Sequence, residues 1–445
     1  MTDFFTMASL VFVVGSGIRL ATPFLLAGLG ETIGQRSGVL NLGVDGVMLL
    51  SAFGAYWTIL ETGRPVAGLL VGLGVGLVMG VVYGVVTVTL RAEQGVSGIG
   101  IFLFGLGMSD LLFQKKVGTP LPVRGFGEWH VPVLVAAMEN GKHAATEVPA
   151  AYRTEDCWKM VEYAEKYQRH CVMMENCNYD RPEMMVFHMA RLGLFGEILH
   201  AECGYLHDLR SIKFSETGEG LWRRAHAMVR DANLYPTHGL GPVANVMDIN
   251  RGDRFDYLVS MSSPSRGLQE WAEAHYPEGH AKRQERYMLG DVNTTMIKTV
   301  QGKTIYLGHD TNLPRPYSRI HMVQGTKGLF QGYPNRVYLE GMSPEHRWQD
   351  WMELREEFDH PLWKDLEAQS EGAGHGGMDF IEDYRLVKCL LEGKPTDMNV
   401  YGAGALWVIT PLSEWSVANR SRPIDVPDFT RGRWAQWPKL EILRA

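Results

Sequence analysis

Tyr235 and His238 stand three residues apart in N-L-Y-P-T-H-G-L-G-P, residues 233 to 242. A phenol and an imidazole at that spacing can share a proton and face one small ligand. That is the chemistry of acid–base work on a hydroxyl or a C–H bond. Pro236, Gly239, Gly241 and Pro242 predict an irregular, stiffened loop around the pair. The same spacing also suits a buried Tyr–His hydrogen bond inside a turn, so the surrounding chain decides between the two.

Several elements could position such a pair. Residues 197–205 alternate as a strand, and 254–262 and 303–308 are further strand candidates. The segment 154–168 starts at Thr154 and places Trp158, Val161 and Ala164 at helical spacing. Before it, G-E-W-H (127–130) leads into a short apolar helix, a Gly-Lys-His turn and a β-like step into Glu147-Val148-Pro149. This is the rhythm of the late part of a βαβ dinucleotide-binding domain. C-V-M-M-E-N-C-N-Y (171–179) reads as a short strand ending in polar residues, with Asn176 either at a ligand-binding sheet edge or in a plain turn. Residues 345–370 and 379–392 read as amphipathic helices, the latter closed by Gly393 and Pro395.

The 445-residue chain carries 43 basic against 50 acidic residues, a net charge of −7. No polyelectrolyte partner is suggested, and nucleic-acid binding is not expected on that ground. Cys157, Cys171, Cys177, Cys203 and Cys389 form no C-x-x-C pair and read as free, buried thiols. No histidine or cysteine spacing proposes a metal site.

Charge is not evenly spread. Up to about residue 113 charged residues are sparse, and 65–90 contains none. That run is long enough to cross a bilayer, and its glycines suit close helix contacts. Residues 38–60, interrupted by Asp45, make a second candidate span; 8–30, carrying Arg19, and 95–113 are two more. With Asp3 and no basic n-region, the N-terminus is a poor signal peptide. Orientation stays open, because Arg36 and Arg91 fall on one side and Arg64, Lys115 and Lys116 on the other.

Within this part, I-R-L-A-T-P-F-L-L-A-G-L-G-E-T-I-G-Q-R-S-G-V-L-N-L-G-V-D-G (18–46) resembles the inner-membrane permease subunits of simple-sugar and nucleoside ABC transporters. The likeness covers roughly residues 8 to 125, ending in V-G-T-P-L-P-V-R-G-F, and is to an N-terminal fragment of such permeases. It implies membrane contact through residues 1–113 and a place at the bacterial inner membrane, with the side of the soluble part open.

From about 127 to 440 the chain resembles the Gfo/Idh/MocA oxidoreductase superfamily, and more closely the NAD-dependent α-N-acetylgalactosaminidases of glycoside hydrolase family 109. The likeness is carried by W-H (129–130), E-V-P-A-A (147–151), E-N-C-N-Y (175–179), G-Y-L-H-D-L-R (204–210), L-Y-P-T-H-G-L-G-P (234–242), N-R-G-D-R-F-D (250–256), P-R-P-Y-S-R (314–319) and G-H-G-G-M-D (374–379). Val148 stands where many superfamily members have lysine, as in the glycosidase branch.

Ordinary glycosidases need two carboxylates flanking the scissile bond. The resemblance implies another route, in which NAD+ takes hydride from the sugar C3 hydroxyl, a base removes the acidified C2 proton, and the aglycone is eliminated from C1. Water then adds and the hydride returns. It also implies that Tyr205, Tyr317 and the turn Tyr235, Pro236, Thr237 and His238 hold the sugar, with Tyr235 and His238 handling protons. Glu128, Trp129, His130, Glu147, Val148, Asn176, Arg223 and Tyr235 would line the cofactor, and His375 and Asp379 are weaker candidates.

One feature of the superfamily is missing. Gly74-Val-Gly76 and Gly98-Ile-Gly100 both lie in membrane-like segments, and neither completes a G-x-G-x-x-G turn with a following acidic ribose ligand. The expected fold is therefore α/β in three parts. Residues 1–126 form an all-α transmembrane, permease-like fragment of about four helices, and 127–180 a partial Rossmann-like dinucleotide domain. Residues 181–445 form a Gfo/Idh/MocA-type α/β domain with an open, mostly antiparallel sheet. The function expected is hydrolysis of terminal α-N-acetylgalactosamine in a glycan by a NAD-dependent redox glycosidase, impaired by the missing phosphate-binding half. A permease fragment, a fusion performing neither task, and a sugar oxidoreductase are the alternatives, and homo-oligomerisation is left open.

Overall fold

A computed structural model describes residues 27–114, 130–215 and 220–442. The chain divides into two compact units, Met1–Phe126 with Phe214–Trp222, and Gly127–Lys213 with Arg223–Ala445.

The described part of the first unit is helical. After a helical stretch at 27–36 come α1 (Val44–Thr62), α2 (Pro65–Gly84, continued by a π turn Val85–Thr89) and α3 (Gln94–Gln114). Pro65 opens α2, where its missing N–H costs nothing. The helices meet through small residues: a Cβ on Gly105 of α3 would lie 2.2 Å from the Gly46 carbonyl oxygen of α1. Leu69, Leu70, Leu73 and Leu77 of α2 stay exposed, from 61% to 71%. Among the described residues one helix, Pro65–Thr89, is long and apolar enough to cross a membrane, with shorter apolar helices at Val44–Ile59 and Gln94–Ser109. Most of the span expected at 8–30 lies outside the described residues.

The second unit begins with α4 (His130–Glu139), β1 (Ala144–Glu147), α5 (Thr154–Tyr167) and β2 (Cys171–Met174). β1 and β2 pair in parallel, joined by α5, whose Cys157, Met160, Val161 and Ala164 form its buried stripe. Then follow α6 (Arg181–Arg191), β3 (Ile198–Leu206), α7 (Gly220–Val229, belonging to this unit from Arg223 onward) and α8 (Thr237–Val246). Strands β4 (Phe255–Ser262), β5 (Val292–Thr299), β6 (Thr304–Asp310), β7 (Met322–Gly325), β8 (Gly328–Gln331), β9 (Arg336–Leu339) and β10 (Gln349–Asp350) come next. Helices α9 (Met352–Phe358), α10 (Pro361–Ser370), α11 (Met378–Leu391), α12 (Val400–Trp407) and α13 (Ile409–Ala418) and a short β11 (Ile424–Asp425) follow, with shorter helical segments at Arg210–Lys213, Gly267–His275 and Ala281–Gln284 between the earlier elements.

The large sheet runs β10-β9-β8-β7-β3-β6-β5-β4-β11, antiparallel throughout except for β3 with β6. This matches the expected open, mostly antiparallel sheet. Its core joins Phe330, Val337 and Val323 of the sheet to Met184, Met185 and Phe187 of α6 and to Trp363 and Leu366 of α10. Each fully buried side chain of this size contributes about 1.5–3 kcal/mol. Helix α12 returns to the small sheet, where Trp407 Nε1 donates to Met173 Sδ at 2.6 Å.

Two expectations are corrected. Residues 345–370 are not one helix: His360 is held extended (φ −65°, ψ 132°) before Pro361, which ends α9 and starts α10. Residues 237–246 are not an irregular loop but helix α8, with Pro242 inside it. The glycines there serve close packing instead. A Cβ on Gly239 would lie 2.4 Å from the Gly204 nitrogen of β3, and one on Gly241 2.8 Å from Asn178 Oδ1.

Candidate active site

β3 ends at Leu206, and its last residues meet the start of α8 from across the sheet face. Pro236 caps the helix and its carbonyl accepts the Leu240 N–H at 3.0 Å, so His238 sits in the first turn with Thr237 buried beneath it. Three aromatic rings thereby converge. Tyr205 and Tyr235 lie 4.7 Å apart, and His238 is 5.3 Å from Tyr205 and 4.8 Å from Tyr235, all centroid distances.

Tyr317, from the loop after β6, completes the group at 6.1 Å from Tyr205. Burial pushes its phenol far up, although Arg319 opposes this, so it stays neutral. Arg319 Nη1 donates to the Tyr317 hydroxyl at 3.2 Å and is itself held by Glu183 and Asp180. Arg223 of α7 lies over the Tyr235 ring at 4.7 Å and the Tyr205 ring at 5.8 Å. The structure thus brings together Tyr205, Tyr235, His238, Tyr317 and Arg223.

The second group lies at the carboxyl edge of β1 and β2. His130 Nδ1 donates to the Pro149 carbonyl at 2.7 Å, next to the cis Val148–Pro149 bond. Partial burial, then the nearby carboxylates of Asp379, Glu175 and Asp383, push the Glu147 carboxyl up, although the residue as a whole is exposed. Asn176 Nδ2 donates to Asp379 Oδ1 at 2.8 Å, and the exposed His375 pairs with the other Asp379 oxygen at 2.7 Å. Glu128 and Trp129 lie outside the described residues.

Sequence reasoning missed four residues here. Glu175, 0% exposed, accepts from His238 Nδ1 at 2.7 Å and links the two groups. An acid directly closing the apolar run C-V-M-M was its signal. His207 Nδ1 lies 3.2 Å from the Tyr205 hydroxyl, and Arg319 closes the P-R-P-Y-S-R run. Lys213, fully buried, donates to Thr311 Oγ1 at 2.6 Å and Asn312 Oδ1 at 2.5 Å, and burial lowers its ammonium to about 7.

Glu175, Cys177 and His238 present ligand atoms within 4.8 Å of one another. Burial pushes the Cys177 thiol well up, and Arg319 Nη1 donates to its sulfur at 3.3 Å. A thiol held protonated beside a guanidinium is a poor cation ligand.

A two-stranded parallel unit followed by an open, mostly antiparallel sheet is an α/β fold of the Gfo/Idh/MocA type. Solved structures agree. A levoglucosan dehydrogenase in complex with NADH and L-sorbose superposes with a TM-score of 0.51 at 20% identity, covering 68% of this chain and 78% of that one. A NAD binding oxidoreductase from Klebsiella pneumoniae gives 0.53 at 14% identity, covering 68% and 79%. The chain belongs to glycosyl hydrolase family 109. The model "Glycosyl hydrolase 109, C-terminal domain" matches residues 179–436. A family 109 protein of Solibacter usitatus is 52% identical over 307 residues, 69% of this chain and 70% of the relative. One from Shewanella pealeana is 49% identical over 321 residues, 71% and 70% respectively. Residues 13–124 match a different model, "Branched-chain amino acid transport system / permease component".

Proposed function

We propose that residues 127–445 form a glycosidase of the redox-elimination type, releasing terminal α-linked N-acetylgalactosamine, with NAD as cofactor. The observation that carries this is the convergence of Tyr205, Tyr235, Tyr317 and His238 beside the carboxyl edge holding Glu147 and Asn176. The residues at that edge fit the reactive end of the cofactor: it meets two parallel strands, the setting in which dinucleotides bind. The pyrophosphate end lacks its partner, since no G-x-G-x-x-G turn stands in residues 1–126. When bound, NAD supplies a hydride acceptor that acidifies the sugar's C2 proton.

The protein's own residues do the rest. The tyrosine rings form an apolar wall that excludes water from the sugar and present hydroxyls at its rim. Tyr317 acts as a neutral donor, held in place by Arg319. His238, with Nδ1 occupied by Glu175, offers Nε2 as the atom that accepts and returns the proton. Tyr235 shares that task across the 4.8 Å between the rings, and Arg223 favours negative charge developing on an oxygen near them.

We further propose the division 1–126, 127–180 and 181–445, with the first part lodged in the inner membrane. The permease match and the apolar helix Pro65–Thr89 support it. The test of the enzymatic reading restores a strand–turn–helix half from a family 109 relative upstream of residue 127. That protein should hydrolyse p-nitrophenyl α-N-acetylgalactosaminide with NAD+. His238→Ala should lower turnover by about 100-fold or more, and Tyr317→Phe by about tenfold, with unchanged melting. Full activity in either variant refutes the assignment.

A further inference from the structure

One buried group beside the site takes up no proton in the transfers above but holds the residue that does. We infer that Glu175 is a positioning residue whose carboxylate fixes the His238 ring so that Nδ1 carries its hydrogen and Nε2 faces the sugar. The inference rests on the proposed proton-transfer role of His238 and adds the device that sets it.

The geometry leaves the carboxylate little freedom. Glu175 directly follows β2, is 0% exposed, and its Oε1 takes both His238 Nδ1 at 2.7 Å and the Cys177 N–H at 3.2 Å. Helix α8 closes over it at Gly241, where even a Cβ would stand 3.1 Å from Glu175 Cγ. The side chain therefore cannot swing aside while α8 is in place.

Chemistry then selects one ring state. An ionised carboxylate only accepts hydrogen bonds, so the imidazole nitrogen facing it must donate. In the neutral ring this leaves the lone pair on Nε2 alone. Burial would raise the Glu175 carboxyl, but attraction to His238 and the hydrogen bonds from His238 and the Cys177 N–H outweigh it and hold the group below its ordinary value. The charge is thus retained in the dry interior by the very residue it orients. Because His238 is only 16% exposed, little solvent competes for either nitrogen.

The test reads the ring atom by atom and needs no cofactor. Full-length protein in detergent is alkylated with iodoacetate, and the His238 peptide is hydrolysed. The carboxymethylhistidines substituted at Nδ1 and at Nε2 are then quantified. The natural chain should react almost wholly at Nε2. Glu175→Ala should raise the Nδ1:Nε2 ratio about 10- to 100-fold, the factor expected for one charge-assisted hydrogen bond. Glu175→Gln keeps an accepting oxygen and should stay within about threefold of the natural ratio. Glu175→Asp, which withdraws the carboxylate by one methylene, serves if the alanine variant does not fold, and its ratio should also rise. An unchanged ratio in a folded Ala or Asp variant overturns the inference. Expected regiochemistry, together with no glycosidase activity in the cofactor-restored protein, would count against the glycosidase reading alone.

Discussion

Gly239→Ala is a one-methyl perturbation whose outcome follows from the packing of α8 on β3. The new Cβ would stand 2.4 Å from the Gly204 nitrogen, 2.6 Å from its oxygen and 2.9 Å from its carbonyl carbon. All three are backbone atoms, so no rotamer change relieves the contact. Strand β3 does not yield, because β6 and β7 hold both its edges and the Gly204 N–H is fixed on the Arg319 carbonyl at 2.9 Å. The helix must instead retreat by about 1 Å to reach ordinary contact distance. Overpacking of this kind costs about 1–3 kcal/mol. At about 2–4 °C per kcal/mol, melting should fall by roughly 2–12 °C. His238 is the adjacent residue, and a displacement of about 1 Å at a reacting group costs on the order of 100-fold in turnover. Gly402→Ala in α12 is the matched control, since its nearest neighbour is Asn399 Oδ1 at 3.8 Å. It should be neutral or stabilising by up to about 1 kcal/mol. Thermal melts by near-ultraviolet circular dichroism compare the two. If Gly239→Ala melts with or above Gly402→Ala, the close approach of helix and strand is not what the glycine provides.

Two further outcomes are expected. Calorimetry of the detergent-solubilised full chain with NAD+ should show binding far weaker than micromolar, because several charge-assisted hydrogen bonds of about 1.5–3 kcal/mol each lack a phosphate cradle; micromolar binding would reveal an unrecognised phosphate site. Burial, then the carboxylates of Glu175, Glu147, Asp383 and Asp379, raise Glu382 to about 10. The folded chain therefore keeps a proton the unfolded chain loses, and stability attributable to this group falls as pH rises from the ordinary carboxyl range towards 10. Glu382→Gln should melt like the natural protein at pH 4 and higher at pH 8; equal melting at both would show that Glu382 is ionised in place.

Part of the fold and of the candidate site was legible because its signals were local. Helix Thr154–Tyr167 and strand Ile198–Leu206 announced themselves by periodicity, and Tyr235 and His238 by type and spacing. Helix α8 was not, because its glycines and prolines carry the local signature of a loop. Their reason is a tertiary one, the contact with Gly204 and Asn178, which no window of sequence contains. Glu175 was passed over for its neighbour Asn176, since a strand-end amide looks like a ligand contact and an acid does not. In the structure Asn176 is tied to Asp379, while the acid reaches the histidine. The break in the single helix expected over 345–370 was marked by Pro361, and amphipathic spacing outweighed it.

The return of α12 to the small sheet has a consequence for synthesis. Met173 waits for Trp407, 234 positions later, before its side of the strand is covered. At about 5–20 residues per second, the ribosome takes roughly 12–47 s to supply that partner. During this interval β2 has emerged with one apolar face unclothed, though α5 is already available to the other. The nascent chain is therefore most open to chaperones and proteases before its C-terminal helices appear, and a ribosome stalled ahead of α12 would hold it in that state.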